Sequence, residues 1–373
     1  MNDQFNIYHS VSELNENTWN KFVPNGNPFL KTSFLKCFEK LNKNEVLPFY
    51  IQTKKGIVYG HLITIDGKKA ANYFELDKTI SLKRWLLKRM KIKFFCFGNT
   101  HLSNVSSNSF AIDKISETYL ISLIDQIKKS YGINFFLLPD HFLNIIKPKT
   151  TTLSKNFKTF NIDPDMVLPI DYKWNSFDNY SEAVQSKYKK RIRKVYKDSK
   201  DIIIKSITKD NLKKELSKMA SLYKNVYVKS TFSGPPFNTD IYLDFINQSN
   251  IEIYIYGYYL NEKMVAFSSE FMVNSMLYSY FIGLDYKLNE KFSIYNRILY
   301  DTIQHGIYNK ASKIVYGRTA SEFKSTIGAE PIPSKSAVYV PNKYLSFIFS
   351  PIFKRISPAE WVQRKPFKKE LLN

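Results

Sequence analysis

Apolar positions recur at helical spacing over 174–200, where Tyr180, Ala183, Val184, Tyr188, Ile192 and Val195 form one stripe in an otherwise polar segment. The pattern predicts a helix there, then an Ile-rich strand over 201–207. A second helix over 211–228 carries Leu212, Leu216, Met219, Leu222, Tyr223 and Val226. A breaker loop at 230–236 contains Gly234-Pro235-Pro236 and precedes a helix over 239–248. Strands follow over 251–260, 264–273 and 276–282, joined at Asn261-Glu262-Lys263 and Asn274-Ser275, which predicts a three-strand meander. A loop over 283–291, a helix over 292–308, a strand over 312–316, a short helix and a last strand over 336–340 complete this half.

The N-terminal half repeats the order more faintly. A strand near 5–8 precedes helices around 13–22 and 32–41. Paired strands follow at 47–53 and 57–65, with Lys54-Lys55-Gly56 at the turn. A helix around 81–90 reads as an insertion. The helix over 114–131 leads to a buried strand over 133–138 and a short segment at 141–146. One element order used twice suggests an ancient duplication, with the boundary at 161–173, where Pro164 and Pro169 interrupt the pattern. The fold class is therefore α/β, with two tandem lobes, each a central mixed sheet flanked by helices. The expected divisions are 1–165, 166–342 and a basic aromatic tail over 343–373.

Composition narrows the class. The 373 residues are 44% hydrophobic and 16% aromatic, which excludes a disordered chain. No stretch approaches the roughly 20 apolar residues that span a bilayer. The start, Met1-Asn2-Asp3-Gln4-Phe5-Asn6, has neither a basic n-region nor an apolar h-region, so no export is expected. Cys37 and Cys96 are far apart and read as buried free thiols in a reducing compartment. The histidines (His9, His61, His101, His141 and His305) have no ligand spacing, so no metal is expected. The net charge of +22 favours an anionic partner, although a Lys- and Asn-rich source genome produces the same excess.

The most informative stretch runs from Tyr316 through Gly317-Arg318-Thr319-Ala320-Ser321-Glu322-Phe323-Lys324-Ser325-Thr326-Ile327 to Gly328. The run Lys313-Ile314-Val315-Tyr316 is a buried strand feeding a short helix. Thr319 and Glu322 have capping-box spacing, and Gly328 is a helix stop. Arg318 and Lys324 join the free N–H groups of a first turn, where negative charge is stabilised.

The order strand, two helices, meander, helix, strand, helix, strand resembles the GNAT acyltransferase fold. Its doubled form resembles the FemAB-like branch of that superfamily, including its bacterial peptidoglycan biosynthesis/recognition proteins. Phe323-Lys324-Ser325-Thr326-Ile327-Gly328 matches the branch's Phe-Lys-x-x-x-Gly motif, and Gly317-Arg318-Thr319-Ala320 its Gly-Arg pattern. The resemblance implies two tandem GNAT-like lobes, the N-terminal one degenerate. It also implies an acyl donor lying between two central strands that splay apart.

N-acyl transfer needs a neutral amine, a polarised carbonyl and a stabilised leaving group. Glu270, in the apolar strand Ala266-Phe267-Ser268-Ser269-Glu270-Phe271, either serves as the base or lies paired on a solvated face. Tyr278 is the candidate acid for a departing thiolate and shares a face with Tyr280, although packing is the commoner role. Lys324 is the candidate electrostatic residue, with Arg318, Thr319, Tyr280 and Gly283 beside the donor. The loop over 283–291 has only Gly283 where acyl-CoA enzymes of the superfamily carry a glycine-rich pyrophosphate cradle. That departure opens the choice of donor to acyl-CoA or aminoacyl-tRNA.

A second constellation, Lys187, Lys189, Lys190, Arg191, Arg193 and Lys194, surrounds the apolar stripe of its helix and suits tRNA or an anionic membrane. The tail around Phe347 docks either on lipid or on the body of the protein. The expected activity is N-acyl transfer from a thioester to an amine on a cell-envelope lipid or sugar precursor, in the cytoplasm or on the inner membrane face. The rival activities are aminoacyl-tRNA-dependent ligation and non-catalytic binding of an anionic polymer.

Overall fold

The computed structural model describes residues 5–40, 45–67, 91–111, 114–146, 157–230, 234–353 and 360–368, together with 85, 88–89 and 358. The helix expected around 81–90 falls largely outside these residues. The chain forms two compact units: 1–162 with 231–241 and 334–358, and 163–230 with 242–333 and 359–373.

In the first unit, β1 (Asn6–Tyr8), α1 (Glu16–Lys21) and α2 (Thr32–Leu35) precede the meander β2 (Val46–Gln52), β3 (Ile57–Asp66) and β4 (Lys91–Cys96). Helix α3 (Glu117–Tyr131) then crosses over to β5 (Phe135–Leu138), which runs parallel to β4 and leads into α4 (Asp140–Leu143). Local chemistry sets the bounds of α3. Ser116 accepts from the Tyr119 N–H, and Gly132, at φ 65°, ends the helix in the left-handed region. One side of α3 (Leu120, Leu123, Ile124 and Ile127) packs on Phe49, Phe95, Phe97 and Phe136.

In the second unit, β6 (Phe157–Pro169) enters from the first and is followed by α5 (Phe177–Ala183) and α6 (Ser186–Asp198). Next come β7 (Ile203–Ser206), α7 (Lys209–Lys229), α8 (Ile241–Gln248) and the meander β8 (Glu252–Leu260), β9 (Lys263–Val273) and β10 (Met276–Leu284). Asn261-Glu262 and Asn274-Ser275 all have positive φ, as two-residue hairpin turns require. Helices α9 (Tyr286–Phe292) and α10 (Ile294–Tyr308) lead to β11 (Lys313–Gly317), parallel to β10, and then to α11 (Ser321–Ser325).

Three expectations change. The single helix over 174–200 is two, because Val184 is extended and bridges to Phe367. The expected boundary at 161–173 contains the division after Ile162, but most of it is strand rather than a break: residues 166–169 of β6, Pro169 included, pair antiparallel with β11. The last strand, β12 (Glu330–Tyr339), does not close the second unit's sheet; Ala337–Tyr339 pair antiparallel with β5 of the first. The first unit's strand order is thus β1-β2-β3-β4-β5-β12 and the second's is β6-β11-β10-β9-β8-β7. Beyond β12, α12 (Lys343–Phe353) packs on the first unit and residues 360–368 belong to the second.

Candidate active site

Strands β10 and β11 pair only at Met276–Lys313, Leu277–Ile314 and Tyr278–Val315. Beyond that level both are irregular: β10 bulges against β9 between Ser279 and Ile282, and β11 bulges against β6 between Val315 and Gly317. Bulges end pairing and bend strands. The parting expected of the two central strands therefore begins beside Tyr278.

The chain leaves β11 through a loop in which Gly317, Thr319 and Ala320 have φ of 73°, 67° and 50°. A non-glycine residue in this region costs on the order of 1–3 kcal/mol. What holds the loop is Lys324. Its side chain is buried, and Nζ donates to the carbonyl oxygens of Tyr316, Gly317 and Arg318 at 2.9, 3.0 and 2.8 Å. An ammonium has three protons, and all three are used. Burial pulls the Lys324 pKa down from 10.5 to about 7, while the charges of Asp165 and Asp163 oppose that shift.

The spacing of the Phe-Lys-x-x-x-Gly motif has a backbone reason. Ala329 N–H donates to the Lys324 carbonyl and Gly328 N–H to that of Ser325, with Gly328 at φ 92°. This is a Schellman ending, which fixes Lys324 four residues before the left-handed glycine. A Cβ on Gly328 would lie 2.3 Å from the ring of Phe367, so a second constraint selects glycine. The expected capping box does not form. Thr319 is left-handed and exposed, Ala320 takes the N-cap position with no side-chain bond, and Glu322 pairs instead with Arg364.

Cross-strand register divides the other candidates between two faces. Glu270 lies opposite Ser279, and Phe271 opposite Tyr278. Glu270 is fully buried toward α10, accepting from Thr302 Oγ1 at 2.7 Å with His305 Nδ1 at 3.2 Å. Burial opposes protonation of His305, but the hydrogen bond and charge of Glu270, joined by Asp301, outweigh it and raise the pKa. Phe271 faces α8, its ring centroid 5.2 Å from that of Phe245. Tyr278 therefore stands on the α8 side. Its phenol is raised to about 12 by burial and by the charge of Asp165. Tyr280 shares that side, packed on Phe245, Phe271 and Phe281. Glu270 and Tyr278 are not brought together, since residues opposite one another share a face and adjacent ones do not.

Asp165 was missed by the sequence reading. The Asp163-Pro164-Asp165 run falls in the expected boundary, where its proline interrupts the pattern, yet its β-strand places Asp165 near Tyr278, Gly317 and Lys324. His305 was missed too; its only signal was one position on a helix.

Gly283 makes no phosphate cradle. It pairs with Phe267 inside the meander, and a Cβ there would lie 2.4 Å from the Phe267 ring and 2.8 Å from Leu222 of α7, so its role is close packing. The expected loop after it is largely helix α9, capped by Asp285, whose carboxylate accepts from the N–H groups of Lys287 and Leu288. Helix α9 also satisfies part of the start of α10, because Asn289 Oδ1 accepts from Tyr295 N–H at 2.7 Å.

The basic residues of α6 separate into three kinds. Lys189 pairs with Glu182, and Lys194 with Asp198 at 2.5 Å. Lys190 and Arg193 face solvent. Lys187 and Arg191 line a cavity of about 530 Å³ with Tyr188, Glu322, Phe323, Thr326 and Arg364. Arg191 Nη2 is 3.4 Å from Asn296 Oδ1, and its guanidinium lies 6.0 Å from the Phe323 ring centroid. Helix α11 thus contributes Phe323 to a cationic cavity and Lys324 to the loop that ends β11. Arg318 is half-buried in that loop. Among the described residues no group of His, Cys, Asp or Glu is placed to hold a metal, and no helix is long and apolar enough to cross a membrane.

No curated protein matches the chain by sequence. Among solved structures it is similar to a conserved protein of unknown function from Bacteroides thetaiotaomicron, with 13% identity over 88% of this chain and 98% of that one and a TM-score of 0.48. It is also similar to FemX, with 11% identity over 92% and 99% of the two chains and a TM-score of 0.47. A GCN5-related N-acetyltransferase from Kribbella flavida aligns with 7% identity over 68% and 84% and a TM-score of 0.35. The FemAB-like family model, described as peptidoglycan biosynthesis/recognition, matches residues 166–365, which include the cationic cavity and the buried-lysine loop. With more than half of its length matched, the chain belongs to the FemAB-like family.

Proposed function

We propose that this protein transfers an acyl or aminoacyl group to an amine of a cell-envelope precursor, at the joint between β11 and α11. The observation that carries this reading is the left-handed loop fixed by the buried Lys324 ammonium. In a trans peptide the carbonyl and the next N–H point in opposite directions. Turning the Gly317 and Arg318 carbonyls onto Nζ therefore turns the N–H groups of Arg318 and Thr319 away from it. Donors set in advance toward developing negative charge stabilise an oxyanion without reorganising at the moment of reaction. Lys324 then acts by holding that row and by its charge, not by reaching the substrate.

The amine must lose a proton as it attacks. Asp165 is the carboxylate beside this loop and receives it; Glu270, committed to Thr302 and His305 on the other face, serves packing. Tyr278, held protonated well above neutral pH, supplies a proton donor beside Asp165. Lys187, Arg191 and Arg364 bind the phosphates of the donor's carrier. A charged tRNA fits this better than acyl-CoA, because the start of α9 is already filled by the Asp285 carboxylate. In this reading the first unit is a degenerate copy of the same plan.

The test mixes the purified protein and an envelope-precursor amine with either acyl-CoA species or charged tRNA, following thiol release and tRNA deacylation. We expect deacylation, a loss of about 10²-fold or more in kcat with Asp165→Asn, and retention of rate with Glu270→Gln. Neither donor reacting, or the reverse order of the two variants, would overturn the proposal.

A further inference from the structure

Helix α12 is apolar on two sides, and among the described residues only one is packed. Leu345, Phe349 and Phe353, four residues apart, pack with Ile92, Phe135, Val338 and Val340, and the Phe349 ring meets Phe135 edge-on at 5.0 Å. Tyr344 and Phe347, three apart on another side, are each 84% exposed. The helix is not loosely held: Asn342 Oδ1 accepts from the N–H groups of Tyr344 and Leu345 at 3.0 and 3.1 Å. A single exposed aromatic residue is ordinary, but two on the outer side of an anchored helix call for a partner.

A third exposed aromatic residue precedes β4. Trp85 is 50% exposed, with the Arg89 guanidinium 3.8 Å over its ring. Arg89 is three residues from Ile92, which sits in the cluster beneath α12, so chain reach keeps it within roughly 11 Å of that position. Lys88, Arg89 and Lys343 are exposed. The sequence has no Asp or Glu between Asp77 and Asp113 or between Glu330 and Glu360. The two stretches of sequence that border α12 and β4 therefore combine aromatic rings with charge of one sign.

We infer that this face of the first unit docks on an anionic lipid surface, independently of the transfer reaction. Trp and Tyr settle at headgroup level, Phe347 enters the acyl boundary, and the cations meet lipid phosphates. An aromatic side paired with uncompensated cations fits an anionic bilayer better than a second copy of the same face, which would bring like charges together.

The full chain, sedimented with phosphatidylcholine vesicles or with vesicles containing phosphatidylglycerol, tests this. We expect binding to the anionic vesicles only, weakening as salt rises through about 0.5 M. Tyr344→Ser with Phe347→Ser should lower the partition coefficient at least about tenfold, and Lys88→Glu with Arg89→Glu by a similar factor. Both variants change exposed side chains, so their melting temperatures should match the parent, and neither should alter transfer to a soluble acceptor. Equal binding to both vesicle types, no binding, unaltered partition of the variants, or a solution dimer that the Ser variant dissolves would overturn the inference.

Discussion

Each unit builds a strand-to-helix joint after a crossover helix, and the two joints differ in what holds them. In the first, β5 passes through Pro139, at φ −71°, into α4, whose Asp140 carboxylate accepts from His141 N–H at 2.8 Å and from Ser334. No residue there from Pro139 to Asn144 has positive φ. In the second, β11 passes into a loop with three left-handed residues, and the carbonyls at its start, from Tyr316 to Arg318, are tied to a buried ammonium. The parallel β4–β5 and β10–β11 pairs are alike in length and register. A proline and an aspartate thus suffice to make the turn. The strained loop and the desolvated lysine of the second unit are costs the fold does not require, and such costs collect where a site is being held in shape.

The most direct way to break that comparison is to remove each joint's polar residue. Lys324→Met keeps the side-chain bulk and releases the loop; we expect transfer to fall by about 10²–10³-fold. Asp140→Ala should leave the rate within about threefold, and equal losses in the two variants would erase the distinction. The pH dependence sharpens it. Since the folded Lys324 pKa is about 7 and the ordinary value 10.5, the unfolded chain holds more protons between those limits. Stability relative to Lys324→Met should therefore rise with pH across that window and be flat below it. Activity should move the other way, because deprotonation above about pH 7 removes one of the three carbonyl bonds. A merely structural lysine gives the stability trend without the fall in rate.

Gly328 offers a smaller effect of the same kind. Gly328→Ala adds a left-handed Cβ and pushes it into Phe367, so we expect a loss of about 2–4 kcal/mol by urea unfolding. Measured against Phe367→Ala alone, Gly328→Ala should cost only the roughly 1–2 kcal/mol due to φ. Full additivity of the two substitutions would mean that the ring and the glycine do not constrain one another.

What was legible in the sequence follows the range of the interactions. Local signals reported well at the Asn-led turns of the meander and at the Lys–Gly spacing of the motif, which depend on residues within a few positions. The capping-box spacing of Thr319 and Glu322 misled, because the left-handed loop moves the N-cap to Ala320. The partner of β12 was not legible. Ala337 and Tyr339 alternate equally well against β11 or β5, and only their burial in the first unit's core decides. Asp165 was hidden for a related reason, since a proline beside it reads as a break unless β11 is known to lie alongside. The two faces of β9 and β10 were readable by alternation, but which face carries the loop of Lys324 depends on β6.

The smallest predicted effect bears on the donor. Asp285 fills the start of α9 with its own carboxylate, where a glycine-rich loop would present free N–H groups to a pyrophosphate. Asp285→Ala removes two backbone partners, and a lost N-cap costs about 1 kcal/mol, measurable as a lowered urea midpoint. If the donor's phosphates bind at Lys187, Arg191 and Arg364, its KM should be unmoved, whereas Arg191→Ala should raise that KM about tenfold with little change in kcat. A fall in KM on Asp285→Ala would instead mean that the aspartate competes with the donor for the helix start. The second unit would then carry the ordinary pyrophosphate site of its fold, blocked by one side chain, and the cavity beside Phe323 would need another occupant.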